Sequence, residues 1–240
     1  MTKFLTFTVS SLLCGLSLLA SPAMAQSSNA VAKAFAGRWV TYDSHFAEKN
    51  ECIFDFSANQ KNEIFPIQQS NCAGELKDVT GWKILNNQLV FVAANNAPVA
   101  LVGGNQERLS GATTKNKLPV ILERLEIAQK IQEARKSIAC SYVGYSQLCA
   151  KPQDFTPPNA SPQSPALVKV LVNLNARMEP RNSAKVVTVL KPNACLKAET
   201  CTVASDGLWC RVNLGQSTAW IKKQAVRQKR WPIITFKNGC

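Results

Sequence analysis

The chain has 240 residues, of which 46% are hydrophobic, and its 28 Lys and Arg against 15 Asp and Glu give a formal net charge of +13. This length suffices for two small folded units, each with a modest core. So large a positive charge suggests that a cytoplasmic protein binds nucleic acid. In an exported protein it suggests binding to anionic cell-wall polymers or lipid phosphates.

The first 25 residues have the pattern of a secretory signal peptide. Lys3 is the only charge before an apolar run over residues 4–20, and residues 23–25 supply an A-x-A cleavage site. The run is shorter than the ~20 apolar residues of a spanning helix, so a membrane anchor is the less favoured alternative. We therefore expect residues 26–240 to be the mature chain, periplasmic or secreted.

Eight cysteines remain once Cys14, in the signal segment, is removed. An even number of cysteines in an exported chain is typical of a disulfide framework. Zinc is the less favoured reading, because no two cysteines are three positions apart and His45 is the only histidine. We expect neither a metal nor a cofactor. The eight are Cys52, Cys72, Cys140, Cys149, Cys195, Cys201, Cys210 and Cys240.

The first half, residues 26–125, has the pattern of an antiparallel β-barrel or sandwich. Six or more short β-branched or aromatic runs occur at regular spacing between turn clusters. In CIFDF the alternation places Cys52, Phe54 and Phe56 on one face. The runs are RWVTY, CIFDF, GWKI, QLVFVA, VALVG and VILER, and the turns are Asn86-Asn87, Asn95-Asn96, Gly103-Gly104-Asn105 and Asn116.

The order of Trp, Cys and Gly in this half is also informative. The sequence runs Gly37-Arg38-Trp39, Cys52, Cys72, Gly81-Trp82, NNQLVFVAANNAPVALV, Leu109-Ser110-Gly111 and LPVILER. It resembles the alkaline metalloproteinase inhibitor family, periplasmic barrels that block serralysin-type zinc proteases. The resemblance covers residues 26–125 and implies a Cys52–Cys72 disulfide. A related small barrel with another ligand is the alternative.

The start of the mature chain is predicted to be a short helix over residues 30–36. Asn29 is a good N-cap residue and Gly37 suits the helix end. The helix would close one end of the barrel and leave Gln26, Ser27 and Ser28 free. In the inhibitor family such an N-terminus enters the protease cleft, so the resemblance implies protease binding by residues 26–29. An idle spacer is the alternative.

Residues 126–149 are predicted to form an amphipathic helix followed by a turn between Cys140 and Cys149, which we expect to pair. The apolar stripe is predicted either to pack on one of two barrels or to mediate dimerisation. It comprises Leu122, Leu125, Ile127, Ile131, Ala134 and Ile138.

Residues 150–166 contain five prolines and predict a semi-extended linker to a second domain, residues 167–240. Residues 166–240 carry thirteen Lys and Arg against three Asp and Glu, so the basic excess belongs to this domain. Alternation over residues 168–174 predicts one half-buried strand, and Asp206-Gly207 predicts a hairpin between CTVA and LWCRV. Five short strands suggest a small barrel.

The second domain resembles bacterial SH3-like domains. The matching segments are Leu174-Asn175-Ala176-Arg177 with Pro180, VVTVLKPNA, Leu208-Trp209-Cys210-Arg211-Val212 and Thr218-Ala219-Trp220-Ile221. The resemblance implies binding of cell-wall peptides or proteins, with Trp209 and Trp220 either as ligand platforms or packed inward. Departures at Glu179 and Ala219, where such domains often have glycine, put the local loops in doubt.

Two more disulfides are predicted in this domain. Cys201 and Cys210 flank the hairpin turn on adjacent strands and are able to approach bonding distance. Cys195–Cys240 follows by elimination.

The sequence contains no H-E-x-x-H, G-x-S-x-G or S-x-x-K motif, so we do not expect an enzyme. The fold class expected is mainly β: an antiparallel barrel, one amphipathic helix, a Pro-rich linker and a small SH3-like barrel. The leading function is inhibition of a serralysin-type zinc metalloprotease, with the second domain targeting the protein to the envelope. The alternative is a non-inhibitory module that binds peptidoglycan or envelope proteins; nucleic acid is not expected as a partner.

Overall fold

The computed structural model describes residues 28–240. The predicted signal peptide, together with Gln26 and Ser27, lies outside the described residues. Within them, the α-helices are α1 (Ser28–Phe35) and α2 (Leu125–Lys136), and short 3-10 helices occur at Gly74–Asp78 and Pro152–Phe155.

The N-terminal half forms a closed barrel of eight antiparallel strands, which we call the barrel unit. Each strand pairs with the next, and the last strand closes on the first through the pairs Trp39–Arg124 and Val40–Glu123. Closure leaves no unpaired sheet edge. The strands are β1 (Gly37–Thr41), β2 (Cys52–Phe56), β3 (Phe65–Ser70), β4 (Gly81–Leu85), β5 (Gln88–Val92), β6 (Pro98–Gly104), β7 (Arg108–Thr113) and β8 (Pro119–Arg124).

Aromatic side chains fill the interior of the barrel. The predicted alternation in β2 is confirmed, because Cys52, Phe54 and Phe56 are buried while Asp55 is exposed. The predicted turns at Asn86-Asn87 are also confirmed, since both residues adopt positive φ angles. The largest buried rings of this core are those of Trp39, Phe46, Phe54, Phe56, Phe65, Trp82 and Phe91.

The C-terminal unit, residues 140–240, contains two further sheets. The larger is antiparallel and has the strand order β12-β11-β15-β14-β13-β10-β18, and the smaller has the order β16-β17-β9. Their strands are β9 (Tyr142–Val143), β10 (Ala166–Val170), β11 (Leu174–Arg177), β12 (Val186–Leu190), β13 (Cys195–Ala204), β14 (Gly207–Asn213), β15 (Thr218–Lys222), β16 (Gln224–Arg227), β17 (Trp231–Ile234) and β18 (Phe236–Asn238).

The single strand predicted over residues 168–174 is wrong. The chain forms two strands there, because β10 pairs with β13 and β18 whereas β11 pairs with β12 and β15. The alternating apolar residues still point into one core, where Val168, Val170 and Val172 are all buried.

All four predicted disulfides are present. Their sulfur atoms lie 1.97 to 2.08 Å apart, in the pairs Cys52–Cys72, Cys140–Cys149, Cys195–Cys240 and Cys201–Cys210. Four disulfides indicate an oxidising compartment outside the cytoplasm.

Helix α2 packs on the outside of the barrel through Leu125 of the predicted stripe and through Ala128, which the prediction did not include. Leu125 and Ala128 are buried against Val40 of β1. Leu122 belongs to β8 and packs inside the barrel, because that strand continues to Arg124 before the helix begins.

The proline-rich segment 150–166 lies against the C-terminal unit. Pro158 is buried, and the carbonyl oxygen of Thr156 accepts a hydrogen bond of 3.1 Å from Lys223 Nζ. The segment is therefore packed into the C-terminal unit rather than extended away from it.

Candidate functional site

Helix α1 covers one end of the barrel. Ala32 is fully buried, and Phe35 packs against the barrel core with its ring stacked on Trp39 at a centroid distance of 6.2 Å. The indole Nε1 of Trp39 donates a hydrogen bond of 2.8 Å to the carbonyl oxygen of Phe35. The helix is thus held by an apolar contact and by a cap on its C-terminal end.

Arg124 at the end of β8 fixes the same end of α1. Its two Nη atoms donate hydrogen bonds to the carbonyl oxygens of Ala34 and Ala36, and its guanidinium lies 4.4 Å from the centroid of the Trp39 ring. A planar cation suits this place, because it binds two carbonyls and stacks on an indole at once. Arg124 was not predicted as a functional residue. The only feature of the sequence that marks it is its position at the end of an apolar strand.

Gly37 joins the helix to β1. Its φ angle is +104°, and a Cβ atom there would lie 3.0 Å from the Arg124 guanidinium. A side chain at this position would strain the backbone and crowd the guanidinium. The predicted role of Gly37 as the residue that ends the helix agrees with this geometry.

The start of α1 differs from the prediction. The helix begins at Ser28, so Asn29 lies in its first turn and the prediction of Asn29 as the N-cap is wrong. The helical turn that places Ala32 in the barrel core continues back through residues 28–30, although Ser and Asn are weak helix formers. Of the protease-binding residues predicted, Asn29 is exposed, Gln26 and Ser27 lie outside the described residues, and only the backbone of Ser28 is described.

Trp209 lies between the two units. It is only 1% exposed and packs with Ile121 of β8 and Ala204 of β13. Its Nε1 donates a hydrogen bond of 3.1 Å to Asp206 Oδ1. The indole therefore faces the barrel unit.

Asp206 is the centre of a buried charge network at this junction. Arg108 Nη2 and Lys222 Nζ contact its two carboxylate oxygens at 2.8 and 2.7 Å. Burial of Asp206 disfavours its charged form, but the two cations outweigh this effect and lower the pKa of the carboxyl. Burial also lowers the pKa of Lys222, an effect that Asp206 only partly offsets. The network ties the predicted hairpin turn to the barrel.

Trp220 borders a cleft between the units. The cleft has a volume of about 640 Å³, and its floor on the barrel unit is made of small residues that include Gly103, Ser110 and Ala112. Trp220 and Arg211 line the opposite side. The structure therefore places the two tryptophans differently: Trp209 is buried at the junction, and Trp220 remains half-buried beside an open cleft.

Among residues 28–240, no group of three or more His, Cys, Asp or Glu side chains is arranged to hold a metal ion. In the same residues no helix is both long enough and apolar enough to cross a membrane.

These features define a mainly β protein in which a closed eight-stranded barrel, capped by a helix, is joined to disulfide-linked β-sheets. Comparison of the chain with protein-family models and with curated proteins finds no match.

Proposed function

We propose that this protein inhibits zinc metalloendopeptidases of the serralysin type by inserting its mature N-terminus into the active-site cleft. The observation that carries the proposal is the attachment of α1 to the barrel through Arg124 and Trp39. A closed barrel is a rigid support, so α1, which begins at Ser28, is held at a fixed place on it. The sequence resemblance to metalloproteinase inhibitors supports the same role.

The energetics favour a short tail on a rigid support. Ordering each backbone residue costs about 1–2 kcal/mol, so even a short tail binds well only if its attachment is already ordered. The barrel beside the cleft adds contact area without further loss of conformational freedom. Affinity then comes jointly from the tail and from the barrel surface around α1.

The proposed tail has two chemical forms. A terminal amine on Gln26 has a pKa near ~8, so part of it is neutral at pH 7 and available as a ligand for the zinc of the protease. Cyclisation of Gln26 to a pyroglutamyl ring removes that amine and leaves a carbonyl oxygen as the ligand.

For the C-terminal unit we propose an SH3-like targeting role toward anionic envelope polymers such as peptidoglycan. Its excess of thirteen Lys and Arg over three Asp and Glu within residues 166–240 supports this role. The neighbouring strands β12-β11-β15-β14 of the larger sheet carry the segments that resemble SH3-like domains.

A second candidate function is a non-inhibitory envelope module that binds a wall peptide or a protein. The half-buried Trp220 beside the cleft between the units favours it, because an aromatic wall opposite a small-residue floor accommodates an extended chain.

Titration of the mature chain, residues 26–240, against a serralysin-type protease tests the leading proposal. We expect stoichiometric loss of peptidase activity, and no effect on a serine protease assayed as a control. Full peptidase activity at a large molar excess of the chain, together with its retention on peptidoglycan, would establish the second candidate instead.

A further inference from the structure

A pocket of about 450 Å³ opens on the C-terminal unit. Tyr145 and Trp231 line it together with Tyr142 and Ile233. It is formed where the loop closed by the Cys140–Cys149 disulfide meets the β16–β17 hairpin. Its lining residues Tyr145, Arg227 and Ile233 also line an adjoining cavity that Trp209 borders.

The aromatic rings of this pocket are held in place. Tyr142 and Trp231 make an edge-to-face contact at 5.9 Å, and β9 pairs in parallel with β17 through Tyr142 and Ile233. The hydroxyl oxygen of Tyr145 accepts a hydrogen bond of 3.1 Å from the backbone NH of Asn173. The pocket is therefore preorganised, which lowers the entropy that a ligand must lose on binding.

Two of these rings are open to solvent although they are firmly held. Tyr145 is 50% exposed and Trp231 is 39% exposed, and neither belongs to a hydrophobic core cluster of the protein. Exposed aromatic side chains that are grouped and oriented indicate a binding surface rather than a folding requirement.

The pocket is also positively charged. The Arg227 guanidinium lies 4.7 Å from the Tyr145 ring centroid, and the Arg230 guanidinium lies 4.8 Å from that of Trp231. None of the residues that line the pocket is acidic. Within residues 28–240, neither Arg227 nor Arg230 takes part in a salt bridge, so their charge is available to a ligand.

We propose that this pocket, defined by Tyr145, Trp231 and Arg227, binds an acidic glycan. A pyranose ring presents C–H groups that pack on the face of an aromatic ring, and a carboxylate or phosphate on the sugar pairs with an arginine. The pocket places aromatic rings and an arginine side by side. Small-molecule sites commonly combine such an apolar lining with a few charged groups. The proposal rests on the targeting role of the C-terminal unit and gives it a ligand class.

A sugar fits these observations better than a nucleic acid, the other polyanion that uses aromatic and arginine contacts. The four disulfides indicate a compartment without nucleic acid as a normal partner. Beyond Tyr145 and Trp231, no exposed aromatic residue within residues 28–240 lines this pocket or the adjoining cavity, whereas single-stranded nucleic acid follows an extended groove with successive stacking platforms.

Binding is tested by calorimetry on the mature chain with four probes: an oligogalacturonate, a phosphomannan oligomer, a neutral maltooligosaccharide and a single-stranded oligodeoxynucleotide. We expect one or both acidic glycans to bind. The glycan that binds more tightly shows whether the pocket prefers a carboxylate or a phosphate. The neutral sugar should bind at least about tenfold more weakly, the equivalent of ~1.4 kcal/mol. Equal binding of the neutral sugar, or tighter binding of the oligonucleotide, would overturn the proposal.

Variants locate the site. Trp231→Ala should weaken glycan binding about tenfold or more, while Trp231→Phe, which keeps a ring, retains most of it. Arg227→Gln should weaken glycan binding. Lys229→Gln is the control, because it removes one positive charge from the neighbouring turn, outside the pocket lining, and it should change glycan binding little. Melting temperatures of the four variants confirm that the fold is kept.

Two results separate failure of this site from failure of the inhibitor proposal. If Arg227→Gln and Lys229→Gln weaken binding equally, the interaction is general charge attraction and the pocket is not the site. The same variants should inhibit the protease as well as the parent chain does, because the pocket is not part of α1 or the barrel. If the chain binds no glycan but still inhibits the protease, the glycan-site proposal is wrong and the inhibitor proposal stands.

Discussion

The carboxylate of Glu123 accepts two hydrogen bonds from Ser205, one from its backbone NH at 2.6 Å and one from its hydroxyl at 2.7 Å. Glu123 is the residue before the last one of β8, and Ser205 begins the hairpin turn between β13 and β14. Arg108 Nη2 donates a third hydrogen bond to Glu123 at 2.6 Å. A carboxylate that is only 4% exposed thus joins the two units.

Replacing this carboxylate should loosen the junction. Glu123→Gln keeps the shape but leaves Arg108 with less compensating charge, and breaking a buried ion pair costs about 3–5 kcal/mol. We expect the free energy of unfolding in urea to fall by an amount of this order. Glu133→Gln is the matched control, because its partner Lys136 and Glu133 itself are about three quarters exposed and such pairs contribute about 0–1 kcal/mol. Equal effects of the two changes would contradict a structural role for the junction.

Lys223 gives the stability a specific pH dependence. Burial lowers the pKa of Lys223 from 10.5 to about 8. Between these values the unfolded chain binds the proton more tightly than the folded chain, so this group makes stability rise as the pH is raised from 8 toward 10.5. Lys223→Met should lose that component, measured as the difference between urea-unfolding free energies at pH 7 and pH 10. Parallel pH profiles for the two proteins would show that Lys223 titrates normally.

The Cys52–Cys72 disulfide should stabilise the barrel directly. It closes a loop with a sequence separation of 20 residues, and loss of a native disulfide costs about 2–5 kcal/mol. Cys52→Ala should lower the free energy of unfolding by this amount without reductant. Cys140→Ala opens a shorter loop, with a sequence separation of 9 residues, and should lower the free energy of unfolding less. Equal decreases for the two variants would show that loop length does not set the stabilisation.

Arg124 should couple barrel and helix. Arg124→Ala removes the hydrogen bonds to the carbonyl oxygens of Ala34 and Ala36, each worth about 1.5–3 kcal/mol when a charged donor is involved. We expect weaker protease inhibition together with faster amide exchange in α1. Arg38→Ala, at an exposed position of β1, is the control and should leave both measurements unchanged.

The first three residues of the predicted mature chain, of which Ser28 begins α1, should carry much of the inhibition. Deleting residues 26–28 should weaken inhibition about tenfold or more, equivalent to ~1.4 kcal/mol or more of binding free energy, while the barrel stays folded. A chain with residues 26–28 replaced by three glycines is the matched control for length. Unchanged inhibition by the shortened chain would make this stretch a spacer.

Most of the local structure was predictable from the sequence, and the exceptions have physical reasons. Strand β3 was missed because Pro66 near its start weakens the strand pattern. Strand β7 was missed because Ser110, Gly111 and Ala112 have little β preference. The structure explains Gly111 itself: a Cβ there would lie 1.9 Å from the carbonyl oxygen of Leu101, so only glycine allows β6 and β7 to approach.

The hairpin at Asp206-Gly207 shows where prediction from sequence ends. Its turn depends on neighbouring residues alone, and the positive φ of Gly207, +119°, agrees with the prediction. The sequence therefore determined the turn, the Cys201–Cys210 disulfide across it and the apolar face of its strands. Only the tertiary structure decided that Asp206 is buried, because Arg108, which pairs with it, lies 98 residues away along the chain. Local pattern encodes backbone geometry, whereas burial of a charge depends on a surface that exists only after both units have folded.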